Sequence, residues 1–288
     1  MLTTADIAGR LGLRKRPRSW SGDCPACCYP RAFSLKASQG RTLAFCANGC
    51  TQETLADTLA RVTGGGWKAP ERSTDAASDA ERRERATAAA LRIWTGSTIA
   101  LNSPADTYLS GRHLPGLAAS PAVRFRGDCN HPEGGLYPAL VALVVDVAGK
   151  PVAVHRTYLT ATGQKANVDP VKASKGPVWG GAIRLDPEAP EIVLGEGIES
   201  SASAGRLLGL PAWAALSAGN LARGLVLPPT VRAVLIAADA DAAGTTAAEA
   251  AAARWRSEGR RVRIARPDRP GQDFNDLLRE RAAVPHAA

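Results

Sequence analysis

From Glu191 onward, short apolar runs alternate with helix-length segments, and acids follow where two of the runs end. Strand-like stretches fall at 191–194, 212–216, 232–238 and 261–265, with helical segments at 199–208, 219–223, 243–257 and 273–282. Regular βα alternation is satisfied by a parallel sheet covered by helices. The acids stand at Gly195-Glu196-Gly197-Ile198-Glu199, at Asp239-Ala240-Asp241 and at Asp273-Phe274-Asn275-Asp276. A parallel sheet delivers the first two sets to its carboxyl edge, where open α/β folds bind ligands. Gathered carboxylates repel one another unless a cation sits between them, and hard oxygen donors suit Mg²⁺ or Mn²⁺. A divalent-metal site for phosphoryl transfer is therefore expected. The glycines flanking Glu196 permit close backbone approach to a phosphate, and Asp239 and Asp241 can point to the same side. Asp273 and Asp276 open the last helix, where they could equally serve as helix-capping acids.

Five of the six cysteines fall within residues 24–50. Cys24-Pro-Ala-Cys27 and Cys46-Ala-Asn-Gly-Cys50 are separated by eighteen residues. Each knuckle presents two thiolates, and a pair of knuckles completes a tetrahedron around zinc with no open position, which makes the role structural or positioning. Either Cys27 or Cys28 could be the ligand; the CxxC spacing favours Cys27. Gly49 suits a tight knuckle, and Cys129 stands alone as a structural thiol. His113, His131 and His286 have no partner at ligand spacing and read as surface or core residues.

No apolar run reaches the ~18 residues of a membrane helix, and Met1 to Trp20 lacks a secretory apolar region. A cytoplasmic protein without a membrane partner is expected. The net charge of +9 is uneven: residues 1–70 carry ten Lys/Arg against four Asp/Glu, whereas residues 191–288 carry twelve against eleven. A polyanion gripped at one end and processed at the other fits that distribution. Arg14-Lys15-Arg16-Pro17-Arg18 reads as a solvated or phosphate-contacting arm.

Residues 1–12 predict a short helix with Ile7 and Leu11 inward. Thr51 predicts the cap of a second helix, reaching Val62 with Leu55, Leu59 and Val62 on one face and ended by Gly64-Gly65-Gly66. A linker follows, then a charged helix from about Asp79 to Trp94 with Ala88, Leu91 and Trp94 as its apolar stripe. Residues 139–145 and 152–159 flank a Gly149 turn and predict a β-hairpin. Residues 163–180 read as a basic loop; from Lys150 to Arg184 there are six Lys/Arg and one acid, Asp169. Trp179 and Tyr158 offer either base stacking or core packing.

The strand-ending Glu196 followed by glycine, the later Asp239-x-Asp241 and the further acidic segment resemble a Toprim domain over about Glu191 to Arg281. The order cysteine knuckles, basic middle, Toprim is similar to bacterial DnaG-type primases, especially the compact primases of phages and mobile elements. One departure is the four-cysteine set, where that family often uses a histidine. The resemblance implies an α+β and α/β chain: a zinc ribbon over 1–66, a linker over 67–86, a basic subdomain over 87–190 and a Toprim catalytic domain over 191–288. It implies a nucleotidyltransferase that makes primers on single-stranded DNA from nucleoside triphosphates with Mg²⁺ or Mn²⁺. Glu196 would be a metal ligand or general base, with Asp239, Asp241 and Asp273 as metal ligands. Arg156, Lys165, Lys172 and Lys175 would hold template or nucleotide phosphates. The sequence contains no GxxxxGK[ST] phosphate loop, so unwinding is expected from a separate helicase. Alternatives are a Toprim nuclease with water as nucleophile and a non-catalytic single-strand-binding accessory protein. A topoisomerase is disfavoured because the tyrosines lie upstream without a cleavage module.

Overall fold

The computed structural model describes residues 2–16, 19–29, 31–38, 41–46, 50–65 and 76–283. Gly49, Gly66, Pro17-Arg18, His286 and residues 67–75 of the expected linker lie outside the described residues.

The N-terminal module packs α1 (Thr4–Arg10) and α2 (Gln52–Val62) against an antiparallel sheet of β1 (Arg14–Arg16), β2 (Ser19–Gly22), β3 (Phe33–Ser38) and β4 (Arg41–Cys46). Thr51 caps α2 by accepting from the Thr54 N–H at 3.1 Å, as its small hydroxyl side chain predicts. Leu55 and Leu59 are buried with Ile7, Phe33 and Leu35. Val62 faces outward and Leu11 is half-buried, which narrows the expected stripes. The basic run Arg14–Arg16 is an exposed edge strand.

A middle sheet follows, built from β5 (Thr98–Ile99), β6 (Val123–Asn130), β7 (Leu136–Val145), β8 (Pro151–Tyr158) and β9 (Lys172–Lys175), all antiparallel neighbours in that order. The hairpin β7–β8 forms as expected, whereas β9 is a strand within the segment read as a loop. Helix α3 (Ala76–Thr95) covers one face. It starts inside the expected linker, because residues 76–86 are mostly strong helix formers. Its inward residues are Ala90, Ile93 and Trp94; Ala88 is exposed. Helix α4 (Pro104–Gly111) lies on the opposite face, capped by Ser103 with proline in its first turn.

The C-terminal sheet runs β10 (Ile183–Arg184), β12 (Ala212–Ala214), β11 (Glu191–Gly195), β13 (Ala233–Ala237) and β14 (Arg261–Ala265). It is mixed rather than wholly parallel: β10 joins β12 antiparallel, and the other pairs are parallel. Helices α5 (Ile198–Leu208) and α7 (Phe274–Ala283) cover one face, and α6 (Ala242–Ser257) covers the other through Ala247, Ala248, Ala251, Ala252 and Trp255. The chain leaves β11 toward β12, then crosses back to β13. The strand order thus reverses between β11 and β13, where a crevice forms outside the carboxyl ends.

The middle and C-terminal sheets share one apolar core. Leu140, Ala142 and Leu159 from the first, with Leu109 of α4, pack with Ile198 and Ala202 of α5 and with Ala212 and Ala214 from the second. Asn220 begins a π turn (Asn220–Gly224) after β12 and is fully buried. Its amide donates to the Gly181 and Ala215 carbonyls and accepts from the Gly180 N–H, all within 2.9 Å. Asn220→Ala strands these groups without partners. It is expected to cost roughly 2–4 kcal/mol, from ~1–3 kcal/mol per unsatisfied buried group, measured by urea unfolding.

Candidate active site and metal centre

The sulfurs of Cys24, Cys27, Cys46 and Cys50 are buried and all within 4.8 Å of one another. Cys24 Sγ stands 3.9 Å from Cys50 Sγ, and Cys27 Sγ 3.7 Å from Cys46 Sγ. Four sulfurs each about 2.3 Å from one tetrahedral ion lie ~3.8 Å apart, so donor set and spacing suit zinc. Hydrogen bonds among the four push the Cys27 thiol down and those of Cys46 and Cys50 up, so the sulfurs titrate as one linked set. Cys28 is exposed, with φ of 55°, outside the cluster.

A cavity of about 300 Å³ opens where the strand order reverses. Glu196 follows β11 and Asp239 follows β13, adjacent parallel strands with Gly195 opposite Ala237. Both acids line the cavity with Asp273, Glu199, Lys165, Lys172 and Arg112. Gly195 has no room for a side chain, since a Cβ there would stand 2.7 Å from Ser201 Oγ; its absence lets α5 start close behind the strand. Burial, then the charge of Asp239, pushes the Glu196 carboxyl up to about 6. Burial also pushes Asp239 up, with Asp273 and Asp241 adding repulsion against a hydrogen bond from Ser200. The nearby Lys172 ammonium opposes both shifts without reversing them.

Among the described residues, the cysteines alone bring three or more ligand atoms within 4.8 Å. The acids are spread more widely, a spacing compatible with Mg²⁺ held by one or two carboxylates, water and substrate phosphates.

The N-terminal module reaches this cavity. Tyr29, two residues beyond Cys27, lines it, with Oη 2.8 Å from Ser174 Oγ and 3.3 Å from His155 Nδ1. His155 is buried, and that burial holds its pKa down at about 3, so the ring is neutral. Arg223 donates to the Ala26 carbonyl, and Arg31 pairs with Asp169. Gly219 packs against the Cys27 backbone, where a Cβ would come within 2.3 Å.

A family model described as a Toprim domain matches residues 191–283. That stretch is a Toprim domain. A second model, described as a domain of unknown function (DUF7146), matches residues 84–185. No curated protein matches the sequence. Among solved structures, the Aquifex aeolicus primase (zinc binding and RNA polymerase domains) is 16% identical, with a TM-score of 0.50 over 97% of this chain and 83% of that one. A DnaG primase catalytic domain bound to ssDNA is 17% identical, with a TM-score of 0.49 over 70% and 78%. A DNA primase domain from Pseudomonas aeruginosa is 20% identical, with a TM-score of 0.46 over 69% and 74%. The fold resembles that of the Aquifex aeolicus primase fragment, at distant sequence similarity.

Within the Toprim domain, Asp241 takes a different position from Glu196 and Asp239. It is the exposed N-cap of α6, accepting from the Gly244 N–H at 2.7 Å, and it reaches the other two acids through its charge. Asp273 both accepts from the Asp276 N–H at 2.9 Å and lines the cavity, so capping and cavity placement coexist.

The basic residues divide. Lys165 and Lys172 line the cavity; Lys175 does not. Three residues along a strand is an odd offset, so Lys172 and Lys175 face opposite sides of β9. Arg156 corrects its expected place against a phosphate: it is 5% exposed, and its guanidinium donates to the carbonyls of Ala173, Asn130 and Ser174. It braces the middle sheet.

Arg112, Tyr108 and Tyr29 were absent from the expected site. Ser103-Pro104 was the available signal for the first two, a cap followed by proline that starts the helix carrying Tyr108 toward Glu199.

Two outcomes follow from this geometry. In the native protein Cys28 is expected to be the thiol open to Ellman's reagent, at a rate moderated because burial pushes its pKa up, and chelation of the bound metal to release four further thiols with about one zinc. The second concerns pH. A folded value of about 6 for Glu196, above its ordinary 4.5, means the metal-free fold loses stability as pH rises through that window. A cation between the acids removes this cost. Mg²⁺ is therefore expected to raise the melting temperature near neutral pH, by an amount that shrinks below about pH 6.

Proposed function

We propose that the chain is a primase-like nucleotidyltransferase, joining nucleoside triphosphates into short primers on single-stranded DNA. The observation that carries this is one cavity at the sheet's switch point that gathers Glu196, Asp239 and Asp273 with Lys165, Lys172 and Arg112. Glu196, Asp239 and Asp273 would hold divalent ions there, with Asp241 supporting them from the rim. When bound, Mg²⁺ or Mn²⁺ would neutralise charge developing on the phosphoryl group. Lys165, Lys172 and Arg112 face the same space and would receive the triphosphate oxygens. A primer 3′-hydroxyl attacks the α-phosphorus, its proton leaves to solvent or a basic group, and pyrophosphate departs in line. The protein's contribution is positioning and electrostatic complementarity.

The zinc module would bring template to this cavity, since its knuckle already contributes Tyr29 to the lining. A separate helicase as partner, and a phage or mobile-element setting, belong to the same reading and rest on resemblance alone.

Incubation with Mg²⁺ or Mn²⁺, nucleoside triphosphates and single-stranded DNA is expected to give short oligomers. Glu196→Gln and Asp239→Ala are expected to reduce synthesis by at least roughly a hundredfold, beyond the ~10–100-fold that losing an outer-shell partner costs a metal site. Shortened template in place of oligomers would instead identify a nuclease, and full activity in Asp239→Ala would remove the acids from the chemistry.

A further inference from the structure

The cavity holds a fourth acid whose bonding differs from that of the other three. Glu199 is buried in the first turn of α5, three residues after Glu196. Both of its oxygens are engaged: Tyr108 Oη donates to Oε1 at 2.6 Å, and Lys172 Nζ donates to Oε2 at 2.9 Å. Burial alone would push this carboxyl up. The Lys172 ammonium and the hydrogen bonds from Tyr108 and Lys172 outweigh that and hold it well below the usual carboxylate range. Glu196 and Asp239 show the opposite balance: burial pushes both up, with repulsion from Asp239 on the first and from Asp273 and Asp241 on the second.

The acids of the cavity therefore differ in their direct bonding. Glu199 has both oxygens engaged, one by an ammonium, whereas among the described residues no ammonium or guanidinium bonds Glu196 or Asp239. A divalent ion gains most beside Glu196 and Asp239, whereas at Glu199 it would have to displace a paired ammonium from a buried carboxylate. Lys172 is about a third exposed, at 32% of its side chain. An ammonium has three donors, and one is taken by Glu199. Among the described residues no second bond of this ammonium is seen, which leaves two donors for the cavity that Lys172 lines. Tyr108 is held in turn, with the Arg112 guanidinium 5.8 Å from its ring centre and Arg112 donating to Asn275 Oδ1 at 3.2 Å.

We infer that Glu199 is a positioning residue and not a magnesium ligand: with Tyr108 it pins Lys172 so that the ammonium meets the triphosphate of the incoming nucleotide. This rests on the primer-synthesis reading above. A lysine is a point charge on a flexible four-carbon stem, and fixing its head places the charge where phosphate oxygens arrive. The metal-bound side of the triphosphate would lie toward Glu196 and Asp239, and its remaining oxygens toward Lys172.

The test compares wild type with Glu199→Gln, Lys172→Met, the double variant and Tyr108→Phe. Three quantities are read: the Mg²⁺ concentration giving half-maximal thermal stabilisation without nucleotide, the affinity for a fluorescent nucleoside triphosphate, and its KM in primer synthesis. Glu199→Gln and Lys172→Met are each expected to weaken nucleotide affinity and raise KM by roughly tenfold, as for loss of an outer-shell partner. The double variant is expected to be no worse than the weaker single, because one linked unit is removed. The Mg²⁺ midpoint should stay within about twofold, and Tyr108→Phe should show a smaller loss in the same direction. A Mg²⁺ midpoint raised severalfold by Glu199→Gln but not by Lys172→Met would make Glu199 a metal ligand and overturn the inference. Additive nucleotide losses would overturn it as well. If Glu199→Gln melts too low to assay, Tyr108→Phe combined with Lys172→Met gives the same cycle. Wild type that binds nucleotide but makes no primers would sink the polymerase reading alone. Wild type that binds no nucleoside triphosphate would sink the inference.

Discussion

Two carboxylates held side by side in a half-buried crevice oppose the fold that holds them. What keeps Glu196 and Asp239 there is the in-register parallel pairing of β11 with β13, in which five consecutive residues of each strand match. Both strands are buried along their length, so their apolar side chains supply the stability that the acids at their ends work against. Neither acid can retreat, because the strand behind it is fixed and Gly195 presses α5 close to the edge. Burial and repulsion together keep both carboxyls above their ordinary range, against the partial relief that Lys172 gives.

Positive charge is supplied by a different part of the chain. Lys172 comes from the middle sheet and Arg112 from the end of α4, and both reach the cavity because the two sheets share an apolar core. The N-terminal module adds Tyr29 over the same opening, tied to Ser174 and close to a neutral His155. Three segments remote in sequence therefore border one space, each held by packing that lies outside it.

Much of this was legible before any coordinates. The spacing of four cysteines points to a tetrahedral donor set, and the strand–helix alternation after Glu191 places Glu196 and Asp239 at one edge, because parallel pairing leaves few other arrangements. The remainder depends on which way a side chain faces. Arg156 and Lys172 look equivalent as basic residues near a hairpin, yet one is buried among carbonyls and the other opens into the cavity. That difference is set by the register of β8 against β9, and β9 carries too weak a β pattern to be read as a strand. Asp239 and Asp241 likewise share a motif, but the helix that starts at Ala242 turns the second into its cap. Arg112 lies in a stretch with no acidic or cysteine signature, and only tertiary packing brings it to Asp273 and Glu199.

The common core of the middle and C-terminal sheets carries an implication for the chain's history. Ile198 and Ala202 rest on Leu109, Leu140 and Leu159, so the face of α5 beside the crevice is complementary to one particular neighbour. A Toprim unit moved onto another protein would arrive with that greasy surface bare and without Lys172. Inheritance of these two halves as a pair is then a matter of solubility as much as of chemistry.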